Sequence, residues 1–472
     1  MERLLWVAPL PWAGYGRDFD RQEGSMSMQQ RFFRVLTVSE LVALLRTCAP
    51  LGAECPTAGR SDSLPIEDAA SLDSSDAPTS LESSGSLDSL DGRVLAKAVV
   101  ARENLPATHR AAMDGYAVRA ADLFGASEGS PAYLDVVGHS AIDARPDVTL
   151  GPGQCLGIVT GGTLPEGADA VLMVEYAHDL GGGAIEAHRP VAPWENVMLR
   201  AEDAEEGRVV LPAGTLLRPQ EVGLLAALGE TAPLVHRRPR VAVISTGDEL
   251  VPADATPRDG QIRDVNTHTL ACLVRRAGAV PRCMGLVPDV LPALEAALRQ
   301  GLETADVVLL SGGSSVGVRD LTVAALERIE GAELLCHGVA ISPGKPLIVA
   351  RVGEKLVWGL PGQVTSAQVV MHVLGMPFLR HLAGWQDAFD MSRWPSRRAV
   401  LARNTATRQG REDYIRVRLD PRPDDLPEAV PLFGKSGLLK TLVGSDGVVR
   451  IPAEVEGLER GALVDVLLFG ER

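Results

Sequence analysis

At 472 residues the chain is too long for a single hydrophobic core, and roughly two to four domains are expected. With 46% hydrophobic, 23% charged and 4% aromatic residues it has the composition of an ordinary globular protein. Its net charge of −15 repels nucleic acid and acidic bilayers at long range, and no run of about 18 apolar residues could span a membrane.

A small anionic ligand is not excluded, because it responds to local charge more than to the total. Six cysteines (Cys48, Cys55, Cys155, Cys272, Cys283 and Cys336) are scattered without a C-x-x-C. That spacing argues against structural zinc and a disulfide scaffold and suits a reducing cytoplasm.

Residues 1–35 carry no clear period and read as a disordered extension; two prolines interrupt their apolar start, which lacks a cleavage motif of the secretory kind. "TVSELVALLRTCAP" predicts a helix capped by Thr37 or Ser39, with Leu41, Leu44 and Leu45 on one face. Residues 55–91, rich in Ser and Asp, hold too few core formers to order themselves and read as an acidic insertion. From there to about Leu234, short strands broken by Gly and Pro predict a β-rich lobe at about 105–200, followed by the helix "PQEVGLLAALG". The whole span 36–239 is taken as one N-terminal region.

From Arg240 the texture changes. "RVAVIST", "DVVLLSG", "PLIVA" and "LVWGLPG" are brief apolar strands, with helical stretches such as "NTHTLACLVRRAGA" and "LPALEAALRQGLET" among them. That alternation predicts an α/β domain over 240–385 with a parallel sheet covered on both faces. The tail, 395–472, alternates as "DYIRVRLD" and "GALVDVLLF" and predicts a small β domain. The expected fold class is thus multidomain α/β plus β.

Ligands of open α/β sheets lie beyond the carboxyl ends of the strands. Three such ends carry small polar loops: Ser245-Thr246-Gly247-Asp248-Glu249, Ser311-Gly312-Gly313-Ser314-Ser315, and Leu360-Pro361-Gly362 running into Thr365 and Ser366. Glycines let backbone N–H groups approach an anion, and a following helix adds its positive dipole end. Any one loop could be plain turn chemistry; three in one domain favour binding. Lys345, between Gly344 and Pro346, is placed to meet a phosphate. Asp248, Asp289 and Asp320 near the same ends make sense beside an anion if a divalent cation mediates, or else they cap the next helix.

In their order along the chain, "AMDGYAVR" (112–119), "VTGGTLPEGADAVLMVE" (159–175), "RAEDAEEG" (200–207), "VAVISTGDELV" (241–251), "DGQIRDVN" (259–266), "LSGGSSVGVRDLT" (310–322), "ISPGKPL" (341–347), "GLPGQVTSA" (359–367) and "SGLLKTLVGSDG" (436–447) resemble the molybdopterin molybdenumtransferase family, the MoeA type related to the gephyrin E domain. The resemblance spans about Thr37 to the C-terminus. It implies a four-part elongated protomer in a homodimer, with a molybdopterin-binding-like α/β domain. It also implies insertion of molybdenum from molybdate into adenylylated molybdopterin, with Mg2+ or another divalent cation promoting release of AMP. The cleft would form between the α/β domain of one subunit and the β-rich lobe of the other. Further partners implied are the molybdopterin adenylyltransferase and recipient apo-molybdoenzymes.

Carried over motif by motif, catalytic roles fall on Asp114, Glu202 and Asp320, and the metal site on Asp289 and Asp320. Substrate binding falls on Thr160, Lys345, Pro361, Ser366, Arg416 and Ser436, joining Thr246, Gly312, Gly313 and Ser314 of the strand-end loops. The chain also departs from the family pattern. Gly338 and Ser342 stand where two lysines are usual, Gln363 and Val364 where Asn-Pro is usual, and Lys435 precedes Ser436 where glycine is usual. These departures keep open a second reading, a pterin-binding scaffold without turnover. A nucleotide enzyme of another kind lacks support, since neither G-x-x-x-x-G-K-[ST] nor a G-x-G-x-x-G after a strand is present.

Overall fold

The computed structural model describes residues 35–48, 87–312, 316–423 and 425–470, with backbone alone for 316–320. The expected extension, apart from Val35, and most of the Ser/Asp-rich insertion lie outside the described residues.

Helix α1 (Val38–Cys48) begins at a reciprocal cap. The Glu40 N–H donates to Thr37 Oγ1 (3.2 Å) and the Thr37 N–H to Glu40 Oε2 (2.8 Å), so Thr37 rather than Ser39 is the capping residue. Leu41 and Leu45, one turn apart, are fully buried, and they pack with the α/β domain.

The lobe is a six-stranded sheet of β1 (Gly115–Val118), β2 (Ala132–His139), β3 (Gln154–Ile158), β4 (Ala170–Met173), β5 (Ala177–Gly181) and β6 (Ala184–Ala187), in the order β4-β1-β3-β2-β6-β5. Alternation buries both faces: Val118, Leu134 and Leu172 in one cluster, Ala117, Leu156 and Val171 in another. Helix α2 (Pro219–Ala227) packs Leu225 against Leu95, Leu217 and Val235.

The α/β domain runs β7 (Arg240–Thr246), α3 (Asn266–Arg276), β8 (Val280–Val287), α4 (Leu291–Thr304), β9 (Val307–Gly312), α5 (Val316–Glu327), β10 (Ala332–His337), β11 (Ile341–Ser342), β12 (Ile348–Val352), β13 (Lys355–Pro361), α6 (Val364–Val370), a π-helical turn at Met371–Gly375 and α7 (Met376–Leu382). Its sheet has the order β8-β7-β9-β13-β12-β10. Val241, Val243, Leu309 and Trp358 face α1, α3, α6 and α7, while Ala242, Ile244, Leu310 and Val357 face α4 and α5. The sheet is therefore covered on both sides, as expected.

It is not wholly parallel, however. Strands β8, β7, β9 and β13 run parallel, but β12 is antiparallel to both β13 and β10. Only Gly353 and Glu354 separate β12 from β13, a hairpin's length and far short of the dozen or so residues that a parallel crossover needs.

In the tail, β14 (Ser396–Leu401), β15 (Glu412–Asp420), β16 (Glu428–Pro431), β17 (Gly447–Ile451) and β18 (Leu463–Leu468) close into a ring, because β15 pairs with both β16 and β17. Helix α8 (Leu439–Val443) lies between β16 and β17. Strand β11 leaves the α/β sheet and pairs with β15.

Truncation at the α1 contact tests its docking. Leu41→Ala should destabilise the α/β domain by about 2–5 kcal/mol through the cavity it leaves. Chemical denaturation followed by tryptophan fluorescence reads this, and an unchanged transition would show that α1 does not dock.

Candidate active site

Order along the sheet places a switch point between β7 and β9. From β7 the chain steps through α3 to β8 on one side, then through α4 back across to β9 on the other. Thr246 of β7 is level with Gly312 of β9, and Gly312 with Pro361 of β13, so three expected substrate residues form one row at the carboxyl edge. Gly313 and Ser314 lie outside the described residues, and for Asp320 only its place in the first turns of α5 is described.

Beside the row, the Thr246 hydroxyl donates to Asp289 Oδ1 (2.5 Å), and the Asp289 N–H donates to Asp248 Oδ1 (3.1 Å). Asp289 does not cap α4, whose N-cap position is Val290. Asp248 and Asp289 with the Thr246 hydroxyl are hard oxygen donors of the kind Mg2+ takes. Among the described residues, no group of three or more His, Cys, Asp or Glu closes a complete cage. That donor set fits a cation held by one or two carboxylates and completed by substrate phosphates and water.

The second cluster lies where the α/β domain meets the ring. Arg416 of β15 is 8% exposed, and its guanidinium donates to the Gly434 carbonyl (3.2 Å). Its Nε is buried with no hydrogen-bond partner, and burial lowers its pKa. Among the described residues it has no carboxylate partner within ion-pair distance. Two residues beyond Gly434, the Ser436 carbonyl accepts from the Thr365 N–H (3.0 Å) next to Ser366 of α6. The Thr365 hydroxyl is likewise buried without a partner. Lys345 is exposed and follows Gly344, where φ is +129° and a Cβ would lie 2.5 Å from Val370 Cγ2 and 3.7 Å from the Ser366 carbonyl. These contacts set the segments carrying the four expected oxyanion residues, Lys345, Ser366, Arg416 and Ser436, beside one another.

The third cluster is in the lobe. Asp114 Oδ1 accepts from the Thr160 N–H (2.6 Å) and the Thr160 hydroxyl (2.7 Å). These bonds, the backbone one first, hold its carboxyl below the ordinary value. The next residue, Gly115, lets β1 lie close against β4: a Cβ there would lie 2.0 Å from the Leu172 carbonyl. Glu202 sits on a tight turn, its Oε2 accepting from the Leu199 N–H (2.7 Å), and the preceding Ala201 has φ +63°.

Among the described residues, no hydrogen bond or ion pair joins this lobe cluster to the strand-end row within one chain. Two residues escaped the sequence reading. Asn266 Nδ2 donates to Ser311 Oγ (2.7 Å) and to the Gly362 carbonyl (2.8 Å), tying the ends of β9 and β13 together, and its Oδ1 is buried unpaired. His109 Nδ1 accepts from the Arg200 N–H (3.0 Å) and steadies the Glu202 turn. Nothing in the spacing of either residue marks it.

Replacing Gly115 should split the Asp114–Thr160 pair. In Gly115→Ala the Asp114 pKa should return toward the ordinary carboxylate value with the fold retained; an unmoved carboxyl in an NMR titration would show that the close approach is not needed.

Three family models match in succession: the MoeA N-terminal region (domains I and II) over residues 64–229, a "Probable molybdopterin binding domain" over 242–381 and the MoeA C-terminal region (domain IV) over 398–469. The molybdopterin molybdenumtransferase of Bacillus subtilis is 30% identical over 382 residues, 80% of this chain and 88% of its own. That of Nostoc is 37% identical over 306 residues, 63% of this chain and 70% of its own. A crystal structure of the molybdopterin biosynthesis MoeA protein from Pyrococcus horikoshii superposes with a TM-score of 0.70 at 31% identity, covering 93% of this chain and all of that one. The chain belongs to the MoeA family of molybdopterin molybdenumtransferases.

Proposed function

We propose that the protein inserts molybdenum into molybdopterin, taking molybdate and adenylylated molybdopterin and releasing AMP. The observation that carries this reading is Arg416. A buried guanidinium with an unpartnered Nε and, among the described residues, no acid beside it calls for an anion, and its planar fork suits a tetrahedral oxyanion. The unpaired Thr365 hydroxyl, Ser366, Ser436 and Lys345 supply further donors at that point. Molybdate is the oxyanion proposed there, as a substrate.

The row of Thr246, Gly312 and Pro361, held together by Asn266, would receive the pterin and its phosphates. Asp289, with Asp248 and Asp320, would hold a divalent cation that neutralises phosphate charge as the adenylate bond breaks. Asp114, ionised and fixed by two donors, accepts a proton or hydrogen bond from substrate and cannot donate one. Glu202 would act beside it. The crevice would be completed in a homodimer, with Asp114, Thr160 and Glu202 supplied by the partner subunit. The proposed partition is an N-terminal region over 36–239, a pterin-binding domain over 240–385 and a C-terminal β domain over 395–472, in a cytoplasmic enzyme that meets the adenylyltransferase and apo-molybdoenzymes.

The lost lysines have a local reason at one site. Gly338 has φ +104°, and a Cβ there would lie 3.2 Å from Val35 Cγ2, so a lysine is poorly accommodated. Lys435, exposed one residue before Ser436, is proposed to restore part of that charge.

Purified protein given adenylylated molybdopterin, molybdate and Mg2+ should release AMP in step with molybdenum incorporation; binding without AMP release would leave a scaffold. Arg416→Met should weaken molybdate by about tenfold to a hundredfold, the weight of a charged hydrogen bond. Lys435→Ala should weaken it by about two- to fivefold, as for one screened surface charge, and unchanged affinity would refute its compensating role.

The pH dependence has a definite sign. Because its folded pKa is depressed, Asp114 keeps its link to Thr160 above the ordinary carboxylate pKa and loses it as pH falls through the lower folded value. Thr160→Val, which removes the hydroxyl donor, should therefore move the acid limb of turnover to higher pH; a limb that stays put would detach Asp114 from the reaction.

A further inference from the structure

A cavity of about 200 Å³ on the seam between the α/β domain and the ring shares no lining residue with the crevice, although Val448 in its wall pairs across the strands with Arg416. One wall is α3, the π-helical turn and α7; the other is β17 and β18 with Phe469. Two guanidinium groups enter it. Arg276 donates to the Phe469 carbonyl (2.8 Å), and Arg380 stacks on Trp385 (5.2 Å) with its Nε buried and unpartnered. Among the described residues neither has a carboxylate within ion-pair distance. The remaining titratable group is His372, whose ring lies 4.5 Å from that of Phe469. Burial, aided by Arg276 and Arg380, pushes it down to about 4, so at neutral pH the two arginines are the charged groups among the described lining residues.

The rest of the lining is apolar or aromatic, including Trp394, Phe469 and Leu467. Arg380, half-buried with an unpartnered Nε, and the exposed Arg276 beside it set two cations against an apolar slot, and one anion there would pair with both. The apolar walls and rings would leave a bare oxyanion poorly matched, whereas a flat body carrying one negative group fills both halves. His372 lies in the π-helical turn, a distortion frequently found at functional sites.

We propose that this seam cavity is a second ligand site, separate from the catalytic crevice, which binds a small aromatic carboxylate through Arg276 and Arg380. Because both domains line it, the bound anion would join them, and occupancy would raise the melting temperature.

The test uses full-length protein with benzoate as the probe, and benzyl alcohol and inorganic phosphate as comparisons, read by calorimetry and thermal melting. Benzoate should bind one per chain and raise the melting temperature, with benzyl alcohol and phosphate each about tenfold weaker or more, since each lacks either the charge-assisted contact or the apolar fit. Arg380→Met should fold with an undiminished melting temperature, because it removes an unpaired buried charge, and should lose benzoate by about tenfold or more. Arg276→Gln should weaken benzoate similarly if Arg380→Met fails to fold. Lys345→Ala should leave benzoate binding intact, which separates the seam from the crevice. The proposal falls if benzoate does not bind, if benzyl alcohol or phosphate binds equally well, or if Lys345→Ala and not Arg380→Met abolishes binding.

Discussion

A two-residue strand carries an outsized share of the architecture. Ile341 and Ser342 leave the α/β domain's sheet and pair with Glu412 and Asp413 of β15, so the segment leading to Lys345 is fixed by the C-terminal ring. On the far side of the same junction, the Thr365 N–H holds the Ser436 carbonyl. These two attachments set the distance between Lys345 and Ser366, which belong to one domain, and Arg416 and Ser436, which belong to the other. Without them the donors would be separate surface features. With them, the proposed oxyanion site is a property of the junction.

The electrostatics show why net charge is a poor guide to ligand. A chain that repels polyanions at long range still holds two guanidinium groups with buried, unpartnered Nε atoms, Arg416 and Arg380. At several ångströms in a desolvated setting, local charge outweighs the screened sum over the surface. The carboxylates at the strand ends use the same logic in reverse. Thr246 and the Asp289 backbone each satisfy one oxygen of the Asp289–Asp248 pair, and the remaining lone pairs are those the proposed cation would use.

What the sequence made legible follows the range of the interaction involved. Helices α3 and α4 appear almost to the residue, because periodicity and breakers are local signals. The row of Thr246, Gly312 and Pro361 was legible as well, since strand ends followed by Gly and Ser mark a crevice wherever a sheet of this kind forms. The antiparallel β12 was misread because the strands were judged by composition, when the two-residue spacer Gly353-Glu354 decides direction. Asn266 and His109 were missed for a different reason. Each acts through a contact with residues 45 or more positions away, and no spacing in the chain encodes that. Arg416 was found by resemblance alone; its burial and unpaired Nε emerge only once β15 is packed.

Helix α1 has a consequence for how the protein is made. Leu41 and Leu45 complete a core whose other members, among them Val241, Leu309, Trp358 and Phe378, leave the ribosome roughly 200 to 340 residues later. At cellular synthesis rates that delay is on the order of ten seconds to a minute. Throughout it the apolar face of α1 lacks, among the described residues, the partners outside its own segment that it packs against in the folded protein.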